Sequence, residues 1–261
     1  MIMSKNNDTQ VRNPAERKDQ VLLYVKEKGS ATIAEMAQAH AVSEMTIRRV
    51  LEKLADTGLI IRTPGGAMVA PSGSMEKSFM ERSAKMAHAK DAIGREAARL
   101  VKDGETVVLD SGTTTRYVAR YLASHRDVAV VTTSLAALEE LAGSASVMVR
   151  LTGGAYRRTG HDLSGSTVTE YLSGIYADKV FFGAAALSFS KGVMNFDAEM
   201  PRAFLKAGRE RILLLDSSKI GTEAVYRLCA VEKCDMIITD SGIARTDLLK
   251  LQKMTTVIVA S

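Results

Sequence analysis

The stretch Thr106–Leu122, TVVLDSGTTTRYVARYL, gathers residue types that can hold an anion. Thr106–Asp110 is a β-rich apolar run ending in a carboxylate, and Ser111–Thr115 is a tight turn with one glycine and four hydroxyls. Arg116–Leu122 continues as an amphipathic helix. A strand that feeds such a turn into a helix N-terminus aims backbone N–H groups and hydroxyls at one spot, and the helix dipole adds partial positive charge there. Ser111, Gly112, Thr113, Thr114 and Thr115 are therefore expected to hold a phosphate, with Asp110 orienting the turn or binding a ligand hydroxyl.

Other segments carry weaker chemistry. Gly153 and Gly154 end a second apolar run and permit close backbone approach, although a Gly-Gly pair alone is more often a plain turn. Lys219, in LLLDSSK, ends a third run and could neutralise a phosphate; alone, Asp216 and Lys219 read as a surface pair. Asp197 and Glu199 precede a helix and could bind sugar hydroxyls; alone they read as a helix-start cap. Cys229, Cys234 and the scattered histidines His40, His88, His125 and His161 match no metal-ligand spacing, so structural thiols and neither metal nor cofactor are expected.

A second chemistry lies upstream in VSEMTIRRVLEKLADTGLI. Ser43 is a good N-cap for a helix running to Thr57. At 100° per residue, Ile47, Leu51 and Leu54 share one face with Val50 on its flank, and Met45, Thr46, Arg48, Arg49, Glu52 and Lys53 cover the other. Arginine suits guanine acceptors and phosphates, and Thr46 suits a phosphate or a thymine methyl. A solvated helix in a bundle would show the same stripe. The hairpin that follows, LIIRTPGGAMV with Arg62 beside its turn, favours DNA.

The elements that must position these groups follow from periodicity. Helices are expected near 15–28, 32–39 and 44–57, with Gly58 ending the third. Residues 1–14 read as disordered, and 71–90 as a charged linker with weak helical character. Beyond Asp91, strands at 106–110, 128–132, 147–152, 179–183, 211–216, 235–239 and 256–259 alternate with helices near 91–101, 114–124, 134–142, 166–173, 198–209 and 246–253. Apolar strands alternating with helices predict a doubly wound parallel sheet covered on both faces, with ligands at a switch point beyond the C-terminal strand ends. The layout is thus an α+β winged helix-turn-helix over 15–70, the linker, and an α/β domain over 91–261.

The 261 residues are 46% hydrophobic and carry a net charge of +5, which mildly favours a polyanionic partner. No apolar run reaches the roughly 20 residues of a membrane span, and the polar N-terminus lacks a secretory core. A cytoplasmic protein without membrane attachment is expected.

ERKDQVLLYVKEKGSATIAEMAQAHAVSEMTIRRVLEKLADTGLIIRTPGGA resembles the N-terminal domain of the DeoR family of bacterial transcription regulators. Val50 stands where that family nearly always has Asp, and Pro64 where it often has His. The resemblance continues through VLDSGTTT, LTGGAYRR, DLSGSTV, DKVFFGAAAL, KGVMNFDAE and LLLDSSKIG. It implies a second domain similar to ribose-5-phosphate isomerase and coenzyme A transferase-like folds. It also implies a repressor of a sugar operon, released from operator DNA by a phosphorylated sugar; a homo-oligomer, dimer or tetramer, is expected because helix-turn-helix proteins span two half-sites. An activator would use the same parts. The competing reading is a sugar-phosphate isomerase fused to a DNA-binding domain; FFGAAAL opposes it, because it offers only small apolar residues where such enzymes carry acids.

Overall fold

The computed structural model describes residues 14–56, 60–63, 65–69 and 77–261. Residues 1–13, most of the expected disordered segment, lie outside these, as do Gly58 and Pro64 and the first part of the expected linker, 71–76. The chain divides into two compact units, residues 1–75 and 76–261.

The first unit opens with α1 (Pro14–Lys28), β1 (Ser30–Thr32), α2 (Ile33–Ala39) and α3 (Glu44–Asp56). It closes with β2 (Ile60–Thr63) and β3 (Gly66–Val69). Thr32 caps α2 reciprocally with Glu35, so the turn before the helix-turn-helix is fixed locally. The winged helix-turn-helix plan is present. Beyond the expected hairpin, β1 joins β3 as an added strand, in the order β1-β3-β2. Val21, Val25, Ile33, Met36, Ile47, Leu51 and Leu54 form the core of this unit.

The second unit begins with α4 (Phe79–Ala84) and α5 (Ala87–Ala98), so residues 77–90, read from the sequence as linker, fold within it. Then come β4 (Thr106–Leu109), α6 (Thr113–Leu122), β5 (Val128–Thr132), α7 (Leu135–Leu141) and β6 (Val147–Leu151). A hairpin, β7 (Ala155–Arg157) and β8 (Asp162–Ser164), leads to α8 (Ser166–Ser173) and β9 (Ala177–Gly183). β10 (Ala186–Ser188), β11 (Gly192–Asn195), α9 (Glu199–Lys206), β12 (Gly208–Leu214) and β13 (Tyr226–Cys229) follow. β14 (Met236–Asp240), α10 (Arg245–Gln252) and β15 (Thr256–Ala260) end the chain.

The seven strands expected from the apolar runs form one sheet, in the order β15-β14-β12-β9-β4-β5-β6. Every pairing in it is parallel. One face is packed by Ile93, Val118 and Leu122 of α5 and α6, the other by Leu172 and Phe204 of α8 and α9. The chain winds outward from β4 through β5 to β6, then returns to lay β9 on the other side of β4. The switch point therefore falls between the tips of β4 and β9. Hydrophobic periodicity did not foretell the β7–β8 hairpin or a small antiparallel sheet, β10-β11-β13. These strands are three or four residues long, too short to register as a period. Among the described residues no helix is long and apolar enough to cross a membrane, and no group of three or more His, Cys, Asp or Glu is placed to hold a metal ion.

Candidate functional site

On α3, Ile47, Leu51 and Leu54 are fully buried, as the helical wheel requires. Met45, Arg48, Arg49 and Lys53 are exposed, Thr46 is partly so, and Arg62 projects from β2. Ser43 caps the helix: its Oγ accepts from the Thr46 N–H at 3.2 Å and lies 2.9 Å from the Thr46 hydroxyl. Arg62 reaches Glu52 at 3.5 Å, joining wing to helix, and Arg48 lies 3.7 Å from Glu44. These exposed pairs contribute little to stability, so the basic face is available to a polyanion. Val50 is half-buried and widens the apolar stripe.

The second site is built around the switch point. The Asp110 carboxylate accepts from the Ser111 N–H at 2.7 Å and from the Gly183 N–H at 3.1 Å, across from β4 to β9. It thus orients the turn. Crowding by protein raises its pKa, opposed by those two N–H groups. The Thr115 hydroxyl donates to the carbonyls of Asp110 (2.6 Å) and Gly112 (2.7 Å) and is committed to the turn itself. The Ser111 hydroxyl donates to Asp162, which also accepts from Arg157 at 2.9 and 2.7 Å. Thr113 and Thr114, in the first turn of α6, are buried and make no side-chain hydrogen bond with the described residues. Of the five turn residues, these two keep hydroxyls to offer a ligand.

Cations lie near Asp110 at the start of this turn. The Lys219 ammonium donates to the Ala184 carbonyl at 2.9 Å and lies 3.7 Å from buried Asp216. Burial pulls its pKa down while Asp216 raises it, and Arg82 and Asp110 are close enough to act on it. Lys90 is only 2% exposed. Burial and the neighbouring charges of Lys219, Arg82 and Lys85 push its pKa down to about 8, against the pull of Asp216. Arg82 and Lys90 were not singled out as site residues from the sequence, although one signal was available. Lys90 falls in register with Ile93, Gly94 and Ala97 on the buried stripe of α5, where a charged residue needs a reason. Arg82, Lys90 and Lys219 thus lie close enough for their charges to act on one another, and Arg82 and Lys219 also reach Asp110.

The remaining expected residues divide. Gly153 follows β6 with φ 75°, and a Cβ there would make only an ordinary contact, 3.8 Å from the Thr167 methyl. Gly154, at φ 112°, has structural work: a Cβ would stand 2.6 Å from the Ser164 carbonyl oxygen. Asp197 and Glu199 line a groove of about 750 Å³ between α8 and α9, with Thr169, Arg202 and Tyr226, that shares no lining residue with the turn. Asp197, one residue before the α9 N-cap Ala198, accepts from the Glu199 N–H at 3.1 Å.

Residues 17–72 match the family model described as a DeoR-like helix-turn-helix domain, and residues 85–241 match the DeoR C terminal sensor domain. The chain is 31% identical to the HTH-type transcriptional repressor GlcR of Bacillus subtilis, over 86% of this chain and 88% of that one. It is 28% identical to the glycerol-3-phosphate regulon repressor of Escherichia coli, over 87% and 90%. A ribose 5-phosphate isomerase A from Methanocaldococcus jannaschii overlaps 50% of this chain and 53% of its own at 19% identity, with a TM-score of 0.36.

Proposed function

Since this chain belongs to the DeoR family of DNA-binding transcriptional regulators, we propose that it represses a carbohydrate operon and leaves its operator when a phosphorylated sugar occupies the switch-point site. The carrying observation is the grouping of Arg82, Lys90 and Lys219, with Arg82 and Lys219 in reach of Asp110, which orients the turn where Thr113 and Thr114 keep hydroxyls to give. Base and phosphate contacts fall to Ser43, Met45, Thr46, Arg48, Arg49, Lys53 and Arg62. Effector contacts fall to Thr113, Thr114, Gly112, Gly153 and Lys219, with Asp110, Ser111 and Thr115 holding the turn. The protein acts in the cytoplasm; recovery in a membrane fraction of lysed cells would contradict this. It acts as a homo-oligomer, because helix-turn-helix proteins span paired half-sites as dimers; light scattering that returns a monomer would contradict this.

The test is a calorimetric and thermal-shift screen of sugar phosphates against the same sugars without phosphate. At about 100 times its Kd a ligand stabilises the native state by about 2.7 kcal/mol, a rise in Tm of about 5–10 °C for a unit of this size. An equal response to phosphorylated and plain sugars would overturn the site. Affinity should also depend on pH in a stated direction. Lys90 titrates near 8 in the free protein, and a bound anion raises that value. Binding then takes up a proton above pH 8, so affinity holds below about 8 and falls as pH climbs past it, by at most about tenfold per unit.

The site binds its ligand without transforming it. Proton abstraction beside a carbonyl needs a positioned base, and the tip of β9 presents Gly183, Ala184, Ala185 and Ala186. A regulator also responds only through its ligand's differential affinity for two states, which turnover would erode. Proton NMR in heavy water should show no deuterium exchange beside the sugar carbonyl above the buffer rate. Exchange that Lys219→Met abolishes would restore the isomerase reading.

A further inference from the structure

The first helix of the sensor unit is fastened at both ends, to the β7–β8 hairpin and to Lys90. Ser78 and Glu81 form a reciprocal cap that starts α4. The Phe79 N–H donates to the Thr159 carbonyl at 2.8 Å, at the tip of the β7–β8 hairpin. The Phe79 ring is 5% exposed and packs on His161 with centroids 5.7 Å apart. At the other end of α4 the buried Lys90 ammonium donates to the carbonyls of Arg82 and, at 2.6 Å, Lys85. The hairpin is itself tied to the ligand-facing turn: Asp162 accepts from Ser111, and the Leu163 N–H donates to the Thr133 carbonyl at 2.9 Å.

We infer that α4 is the relay between the sensor site and the DNA-binding unit, with Phe79 as the residue that positions it. The inference rests on the anion site proposed above. Arg82 stands on α4, donates to the Lys77 carbonyl at 3.0 Å and lies 5.9 Å from the Phe79 ring, with its charge in reach of Asp110 and Lys219, so an anion in the site favours the docked position of this short helix over any other. Six residues of helix are marginal by themselves, so α4 is held by its contacts: the Phe79 anchor, the Thr159 carbonyl and Lys90. A ligand that adds a contact through Arg82 shifts the docking equilibrium of α4, and DNA binding shifts with it. Linkage makes the effect reciprocal: the factor by which the anion weakens DNA binding equals the factor by which DNA weakens anion binding.

The test uses the full chain, inorganic phosphate against chloride at matched ionic strength, and a duplex selected from a random pool for binding to the full chain. Hydrogen exchange of the wild type should slow at least fivefold on adding phosphate, both at residues 111–115 and at residues 79–84. In Phe79→Ala, phosphate should still protect 111–115 but no longer 79–84, and phosphate should no longer weaken DNA binding. His161→Ala removes the same ring contact from the hairpin side and should act alike without touching α4. Phe79→Leu should restore the coupling, which separates positioning from a general loss of folding. Protection of 111–115 without any change at 79–84 in the wild type would overturn the relay and leave the anion site standing. Unchanged phosphate-dependent release from DNA in both Phe79→Ala and His161→Ala would do the same. Absence of protection at 111–115 would remove the anion site, and the relay with it.

Discussion

Replacing Arg48 and Arg49 together by Ala should weaken operator binding by about 30-fold to about 2×10⁴-fold, at about 1–3 kcal/mol for each arginine that reads a base or a tight phosphate. Both side chains are exposed on α3, and the partner that Arg48 has, Glu44 at 3.7 Å, is itself exposed. Removing them should cost about 0.5 kcal/mol of folding stability or less, so weakened binding reports the interface and not the fold. Salt dependence distinguishes phosphate from base recognition. Each arginine that neutralises a phosphate should, when removed, reduce the slope of log K against log salt by about 1, whereas removing one that reads a base leaves the slope and relaxes sequence preference. Mobility-shift titrations at two salt concentrations read both. Undiminished binding by the folded double variant would remove α3 from the interface and leave Arg62 and the wing as the remaining basic surface.

Thr114→Asp should lower affinity for a sugar phosphate at least 100-fold while leaving DNA binding intact, giving a repressor that no longer releases. Thr114 lies in the first turn of α6 and is 3% exposed. A carboxylate there occupies the place of the ligand's phosphate. Two like unit charges about 4 Å apart repel by about 4 kcal/mol at an effective dielectric constant of about 20, more than the roughly 2.7 kcal/mol that a 100-fold loss requires. The new charge is tolerated by the fold, because it sits in the first turn of α6, where the helix dipole favours an anion. Tm should therefore hold or rise, and Thr114→Ser should bind as the wild type. Calorimetry alongside operator release decides the matter. Normal sugar-phosphate binding by a folded Thr114→Asp protein would place the pocket away from the turn.

The sequence by itself determined the elements and their kinds. Apolar β-branched runs such as VVL at 107–109 and VAVVT at 128–132 specify strands buried on both faces. Hydrophobic spacing in IRRVLEKL specifies which face of α3 packs and which is left basic. Local chemistry sufficed as well for the Ser43 cap and for the strand–turn–helix passage at 109–113. Tertiary structure alone decided which groups meet. Strand order lays β9 beside β4 rather than beside β6, and this brings the Gly183 N–H to Asp110, 73 positions away. The β7–β8 hairpin commits Ser111 to Asp162, 51 positions on, and leaves Thr113 and Thr114 as the donors of the turn. A charged stretch with the texture of a linker became α4 and the start of α5, and supplied Arg82 and Lys90. Asp197 and Glu199, of suitable type, were carried to a separate groove. The reason is one of range. Periodicity and capping act over a few residues and are written in the local sequence, whereas the partner of a charge is set by crossovers whose direction no local pattern records.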